Sequence, residues 1–151
     1  MKCREILVTV VLMSGCRWLG YRPLYECRSP DGLAEVRVLR DWSRNATTTK
    51  FRIEVTRGGE TDMVFSRERE AYLGLIETSW FPDAKQVGLL VCDMFSGPVL
   101  INYDIMRHRV LPTAVIQRSI EAQIQHRYSL APGTDVLTWA CSERGSAAYR
   151  R

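Results

Sequence analysis

Between Ala34 and Tyr103 the chain is written in short segments of period two, and after Pro112 the period changes to four. Phe51, Ile53 and Val55 alternate with Arg52, Glu54 and Thr56. A side-chain repeat of two places the apolar set on one face of a strand and the polar set on the other. Gly58-Gly59 follows at once, and Thr61 to Ser66 continues in extended form. Two strands joined by Gly-Gly predict a hairpin with a primed turn, whose two central residues need positive φ.

The rest of the first hundred residues extends this pattern. Ser29-Pro30-Asp31-Gly32 is a turn: proline presets the first central angle and Asp-Gly tolerates the tight return. Ala34, Val36 and Val38 then alternate with Glu35 and Arg37, and Asp41 to Thr49 forms a polar loop around Trp42. Arg67-Glu68-Arg69-Glu70 reads as a solvated connection, and Tyr72 to Trp80 as a further extended stretch. A second Pro-Asp turn, Phe81-Pro82-Asp83-Ala84-Lys85, leads into Gln86–Cys92, an apolar run with both faces buried. Val99, Ile101 and Tyr103 mark a last strand.

From Pro112, a favourable first helical residue, Ile116, Ile120, Ile124 and Tyr128 recur every four positions. Gln117, Arg118, Glu121 and Gln125 take the other face, and Ser142 stands where it could cap a final helical turn. The expected fold is therefore α+β: an antiparallel sheet of about six strands in a hairpin meander, with one C-terminal amphipathic helix, Pro112–Tyr128, on a face.

A chain of 151 residues, 46% hydrophobic, is long enough for one domain with its own core. The formal charge of +4 is mild, and the arginines are scattered, so a nucleic-acid partner is not expected.

The N-terminus reads as a secretory signal. Lys2 and Arg4 precede the apolar run Ile6–Met13, and Ser14-Gly15-Cys16 follows. The run falls short of the about 20 apolar residues that span a bilayer. Leu12-Met13-Ser14-Gly15-Cys16 resembles the lipobox of bacterial lipoproteins, with Met13 where that family prefers Leu. The resemblance covers the leader alone. It implies cleavage before Cys16, a diacylglycerol on its thiol and usually a further acyl chain such as palmitate on the new amino group. On this reading residues 1–15 are the signal peptide, 16–30 a lipidated tether and 31–151 a single domain. The absence of Asp at Arg17 leans towards an outer-membrane address. Trp18, Leu19 and Tyr21 either touch the bilayer interface or cap the edge of the core.

The two Pro-Asp turns also resemble those that open strands in the WD40-like propeller repeats of bacterial envelope proteins. A propeller needs at least about four blades of four strands, and this chain has room for two at most. The echo is read as shared turn chemistry.

Catalytic or metal-binding sets are not expected. His108 and His126 accompany no Gly-x-Ser-x-Gly elbow, and each reads as a surface residue. Asp83 and Asp93 flank the strand Gln86–Cys92, which sets them about 20 Å apart, too far for a glycosidase pair. Gly58-Gly59 lies between strands and so is no phosphate loop. No cysteine spacing suits zinc, and no cofactor is expected.

Cys3 leaves with the leader and Cys16 carries lipid, so Cys27, Cys92 and Cys141 remain in an oxidising compartment that favours pairing. One bridge and one leftover thiol is the expected count. Cys92–Cys141 is the favoured pair, Cys27–Cys141 and no bridge are the alternatives, and Cys27, near the tether, is the expected odd thiol. The functional expectation is a small envelope lipoprotein with a non-catalytic binding or structural role, held to the membrane by its N-terminal lipid, with a protein partner possible. Its rivals are a secreted or periplasmic inhibitor or accessory subunit docking on a protein partner, and a small cytosolic domain.

Overall fold

The structure, a computed structural model, describes residues 20–41 and 49–149. The expectations for the signal peptide, for Cys16 and for Trp42 fall outside those residues. The chain divides into two compact units, 1–70 and 71–151.

The first unit carries strands β1 (Tyr21–Arg28), β2 (Ala34–Asp41), β3 (Thr49–Arg57) and β4 (Glu60–Ala71), the last reaching one residue past the boundary, in one sheet ordered β1-β2-β3-β4. Val36, Val38, Phe51, Ile53 and Val55 are all buried, as the period-two pattern requires. The alternating residues carry charge on the opposite face: Glu26, Arg37 and Glu54 align across three strands. Arg37 donates to Glu35 at 2.6 Å and stands 3.6 Å from Glu26. Gly58 and Gly59 both have positive φ, at 59° and 88°, which is the geometry of the expected hairpin turn.

The second unit carries β5 (Leu73–Trp80), β6 (Gln86–Asp93), β7 (Gly97–Asp104) and β8 (Arg109–Leu111), again an antiparallel meander in chain order. Helices α1 (Ala114–Arg127), α2 (Val136–Ala140) and α3 (Glu143–Tyr149) follow. Ile116, Ile120 and Ile124 of α1 pack with Leu75, Leu90 and Cys92 of the sheet and with Val136 and Ala140 of α2.

The fold is α+β, but the single six-stranded sheet with one helix gives way to two four-stranded sheets and three helices among the described residues. The sheet breaks at Tyr72. Its N–H donates to Asp93 Oδ1 at 3.1 Å, and its carbonyl accepts from Met94 N–H at 2.9 Å, so the backbone turns into the β6–β7 corner. Two strands went unread. β1 occupies most of the segment expected as a tether: Tyr21, Pro23, Tyr25 and Cys27 do alternate, and Pro23 is tolerated because β1 is an edge strand. β8 has three residues, too few to show a period. The charge run Arg67–Glu70, expected as a connection, belongs to β4. There Ser66 donates to Glu68 at 2.7 Å, and the Arg67 guanidinium lies over the rings of Phe51 and Phe65.

The echo between the two Pro-Asp turns extends well beyond turn chemistry. β5 and β6 have the lengths of β1 and β2 and each begins 52 residues after its counterpart. In the first turn Ser29 N–H donates to Ala34 O, Gly32 N–H to Ser29 O and Leu33 N–H to Asp31 Oδ1. In the second, Phe81 N–H donates to Gln86 O, Ala84 N–H to Phe81 O and Lys85 N–H to Asp83 Oδ1. Both hairpins also shift register in the same part of their first strand, between Pro23 and Tyr25 and between Leu73 and Ile76, offset by about one residue between the copies. The first two strands of each sheet are thus an internal structural repeat. Ala84, with φ 54°, holds the left-handed position that Gly32 fills in the first copy.

Candidate functional site

The most unusual chemistry in the described residues lies in β5, where Glu77, Thr78 and Ser79 are consecutive, polar and buried. A strand interior of this kind requires partners, since an unpaired buried polar group costs free energy. They come from α1. Helical spacing places Ser119, Gln123 and Arg127 in one stripe beside the apolar stripe of Ile116, Ile120 and Ile124. Ser119 Oγ and Ser79 Oγ share a hydrogen bond of 2.9 Å, and Gln123 Nε2 donates to Ser79 Oγ at 2.8 Å. Arg127 Nη1 donates to Glu77 Oε2 at 2.6 Å. The apolar stripe lies on β6, where Gly88 leaves room for Ile116.

Burial pushes the Glu77 carboxyl up to about 7, with the Arg127 guanidinium acting against that rise. The Glu77 side chain is 3% exposed, whereas Arg127 is 56% exposed. Desolvation of the carboxylate therefore exceeds what one partly hydrated cation returns. A carboxyl poised near neutrality suits proton transfer in principle, but this one faces a guanidinium. The hydroxyl two residues on is engaged by Gln123 and Ser119. The arrangement seats a helix.

The other candidates fall elsewhere. Asp93 is fully buried and accepts from Tyr72 N–H, Phe95 N–H and Ser96 Oγ, so it ties together the corner of the second sheet. Asp83 accepts from Lys85 N–H in the β5–β6 turn. His108 occupies the β7–β8 turn with φ 50°, and His126 is exposed in the last turn of α1. Among the described residues no group of three or more His, Cys, Asp or Glu could hold a metal ion. No described helix is long and apolar enough to cross a membrane.

Cys92 and Cys141 are brought together. Their Sγ atoms stand at disulfide distance, with Cα atoms 4.9 Å apart, within the range that a bridge spans. Cys92 is fully buried at the end of β6, and Cys141 follows α2. Cys27, expected as the leftover thiol, is 2% exposed in β1 and disulfide-bonded, which corrects that expectation. The expectation failed because it placed Cys27 beside a tether, where the chain in fact runs as a strand. Cys16 lies outside the described residues.

The polar stripe Ser119-Gln123-Arg127 went unread in the sequence. Its signal is the mid-strand run Glu77-Thr78-Ser79, which no solvated strand alternation explains. Nothing in the sequence matches that run to helix residues 40 to 50 positions later. No family model matches the chain, and no curated protein matches it.

Proposed function

We propose that this chain is a small cell-envelope lipoprotein, anchored through lipid on Cys16, with a binding or structural role and no catalysis of its own. The observation that carries the reading is the Cys92–Cys141 pair at disulfide distance. Such a pair suits an oxidising compartment outside the cytosol, which is where the leader Lys2 to Cys16 would deliver the chain. The lipobox-like Leu12-Met13-Ser14-Gly15-Cys16 then supplies an anchor. Only Arg17–Gly20 separate Cys16 from the first residue of β1. On this reading the folded domain sits directly at the membrane surface, of the outer membrane in a two-membrane cell, and meets a protein partner there. Nucleic acid has no place in it. The second reading, a secreted or periplasmic inhibitor or accessory subunit, keeps the compartment and drops the lipid.

Mass spectrometry of detergent-extracted protein tests the proposal. The expected result is loss of Met1–Gly15, a gain of diacylglycerol and acyl mass on Cys16, and an unprocessed precursor in Cys16→Ser. The bridge at Cys27 divides the two readings: loss of Cys3 with the leader and a thioether on Cys16 leave no cysteine of the chain to pair with it, so a peptide linking Cys16 to Cys27 in envelope protein would sink the lipid anchor and favour the secreted alternative. Cleavage without acyl mass would establish the secreted alternative.

A further inference from the structure

We propose that Glu77 and Arg127 make the seat of helix α1 responsive to pH, so that mild acid tightens the helix on its sheet and mild alkali loosens it. The geometry is that of a carboxyl with almost no solvent contact, on the strand face that α1 covers, opposite a single guanidinium at the last residue of the helix. Ionised, Glu77 loses most of its hydration and regains one ion pair. Protonated, it gives up that ion pair and with it the larger cost of a buried charge, while Arg127 Nη1 can still donate to its carbonyl oxygen.

Among the described residues the elements packed most closely against β5 are β6, α1 and α3. They carry Asp93, then Arg118, Glu121, His126 and Arg127, then Glu143 and Arg144. Among these only Arg127 acts on Glu77. The sign follows from the direction of the shift. The folded-state value, about 7, lies above the ordinary 4.5, so the folded seat holds the proton more tightly than the open one. The favourable contribution is complete below about 4.5 and is lost as pH rises through about 7. What loosens is the C-terminal end of α1, and with it the cover over Leu75 and Leu90. The inference stands whether or not Cys16 is lipidated.

Hydrogen exchange of the α1 amides, corrected for intrinsic rates, tests this between pH 5.5 and 8. The opening equilibrium should fall on the order of tenfold from pH 8 to pH 5.5. In Glu77→Gln, which is neutral throughout, it should be flat. The Glu77 side-chain carboxyl should titrate near 7 by carbon NMR in the unaltered protein, and Arg127→Met should move that midpoint upward. Titration in the ordinary carboxylate range, a midpoint indifferent to Arg127→Met, or a pH dependence that survives Glu77→Gln would each overturn the proposal.

Discussion

Gly88 in β6 lies directly beneath Ile116 of α1: a Cβ built on this glycine would overlap Cγ1 and Cδ1 of the isoleucine. The helix therefore sits closer to the sheet than any side chain at position 88 would permit. The corresponding residue of the first copy, 52 positions earlier, is Val36, which is fully buried in a unit whose described residues form no helix. A side chain such as that of Val36 at position 88 would exclude α1 from this place.

Gly88→Ala should accordingly destabilise the protein by about 1–3 kcal/mol through overpacking. Ile116→Ala should cost about 2–5 kcal/mol through the cavity it leaves. In the double variant the two changes share one space, so their combined cost should be clearly less than additive. Urea denaturation of the three variants measures this, and strict additivity would show that the contact is not the cause.

The Gly58-Gly59 hairpin gives a second comparison. Gly58 has φ 59° and open space around it, and Gly20 has open space with no positive φ. Gly58→Val should lower the thermal midpoint well below that of Gly20→Val, because a β-branched residue at positive φ is strained. Equal midpoints would mean that the turn relaxes freely.

The pair Cys92–Cys141 closes a loop with a sequence separation of 49 residues, which encloses β7, β8, α1 and α2. The chain-entropy relation gives roughly 4 kcal/mol for a bridge over such a loop. Cys92→Ser should cost a few kcal/mol, and Cys92→Ser with Cys141→Ser should cost little more than either alone. Peptide mapping without reductant should recover the two cysteines in one linked peptide pair. Two unlinked, alkylatable thiols at these positions would remove the staple from the account of the fold.

Asp93 offers the clearest test of the corner that splits the sheets. It accepts three hydrogen bonds, from Tyr72, Phe95 and Ser96, with no solvent exposure. Asp93→Ala should destabilise by about 2–4 kcal/mol, since it leaves two backbone N–H groups without their acceptor. Asp83→Ala, at the exposed turn where one backbone N–H is served, should cost at most about 1 kcal/mol. Parallel denaturation curves for the two variants distinguish the buried corner from the surface turn.

Local chemistry alone determined much of this fold. Period two in Phe51–Thr56, the Gly-Gly and Pro-Asp turns, and the four-residue recurrence of Ile116, Ile120 and Ile124 are each decided within a few residues, because backbone sterics and side-chain direction act at that range. The extents of β2, β3, β6 and α1 follow from them to within a residue or two. Cys92 and Cys141 could be paired by position because each ends an apolar element. Other features required the chain to be folded. β1 alternates less cleanly than β2, with Leu24 interrupting the pattern at its register shift, and a charged segment beside a leader reads equally well as a tether until Ala34–Asp41 pairs with it. The corner at Asp93 takes its hydrogen bond from Tyr72, 21 residues away in the chain. The match of Glu77 to Arg127 spans 50 residues. The run Glu77-Thr78-Ser79 marks the place but not the partner, because the cost of the buried glutamate and the guanidinium that meets it exist only once α1 has covered β5.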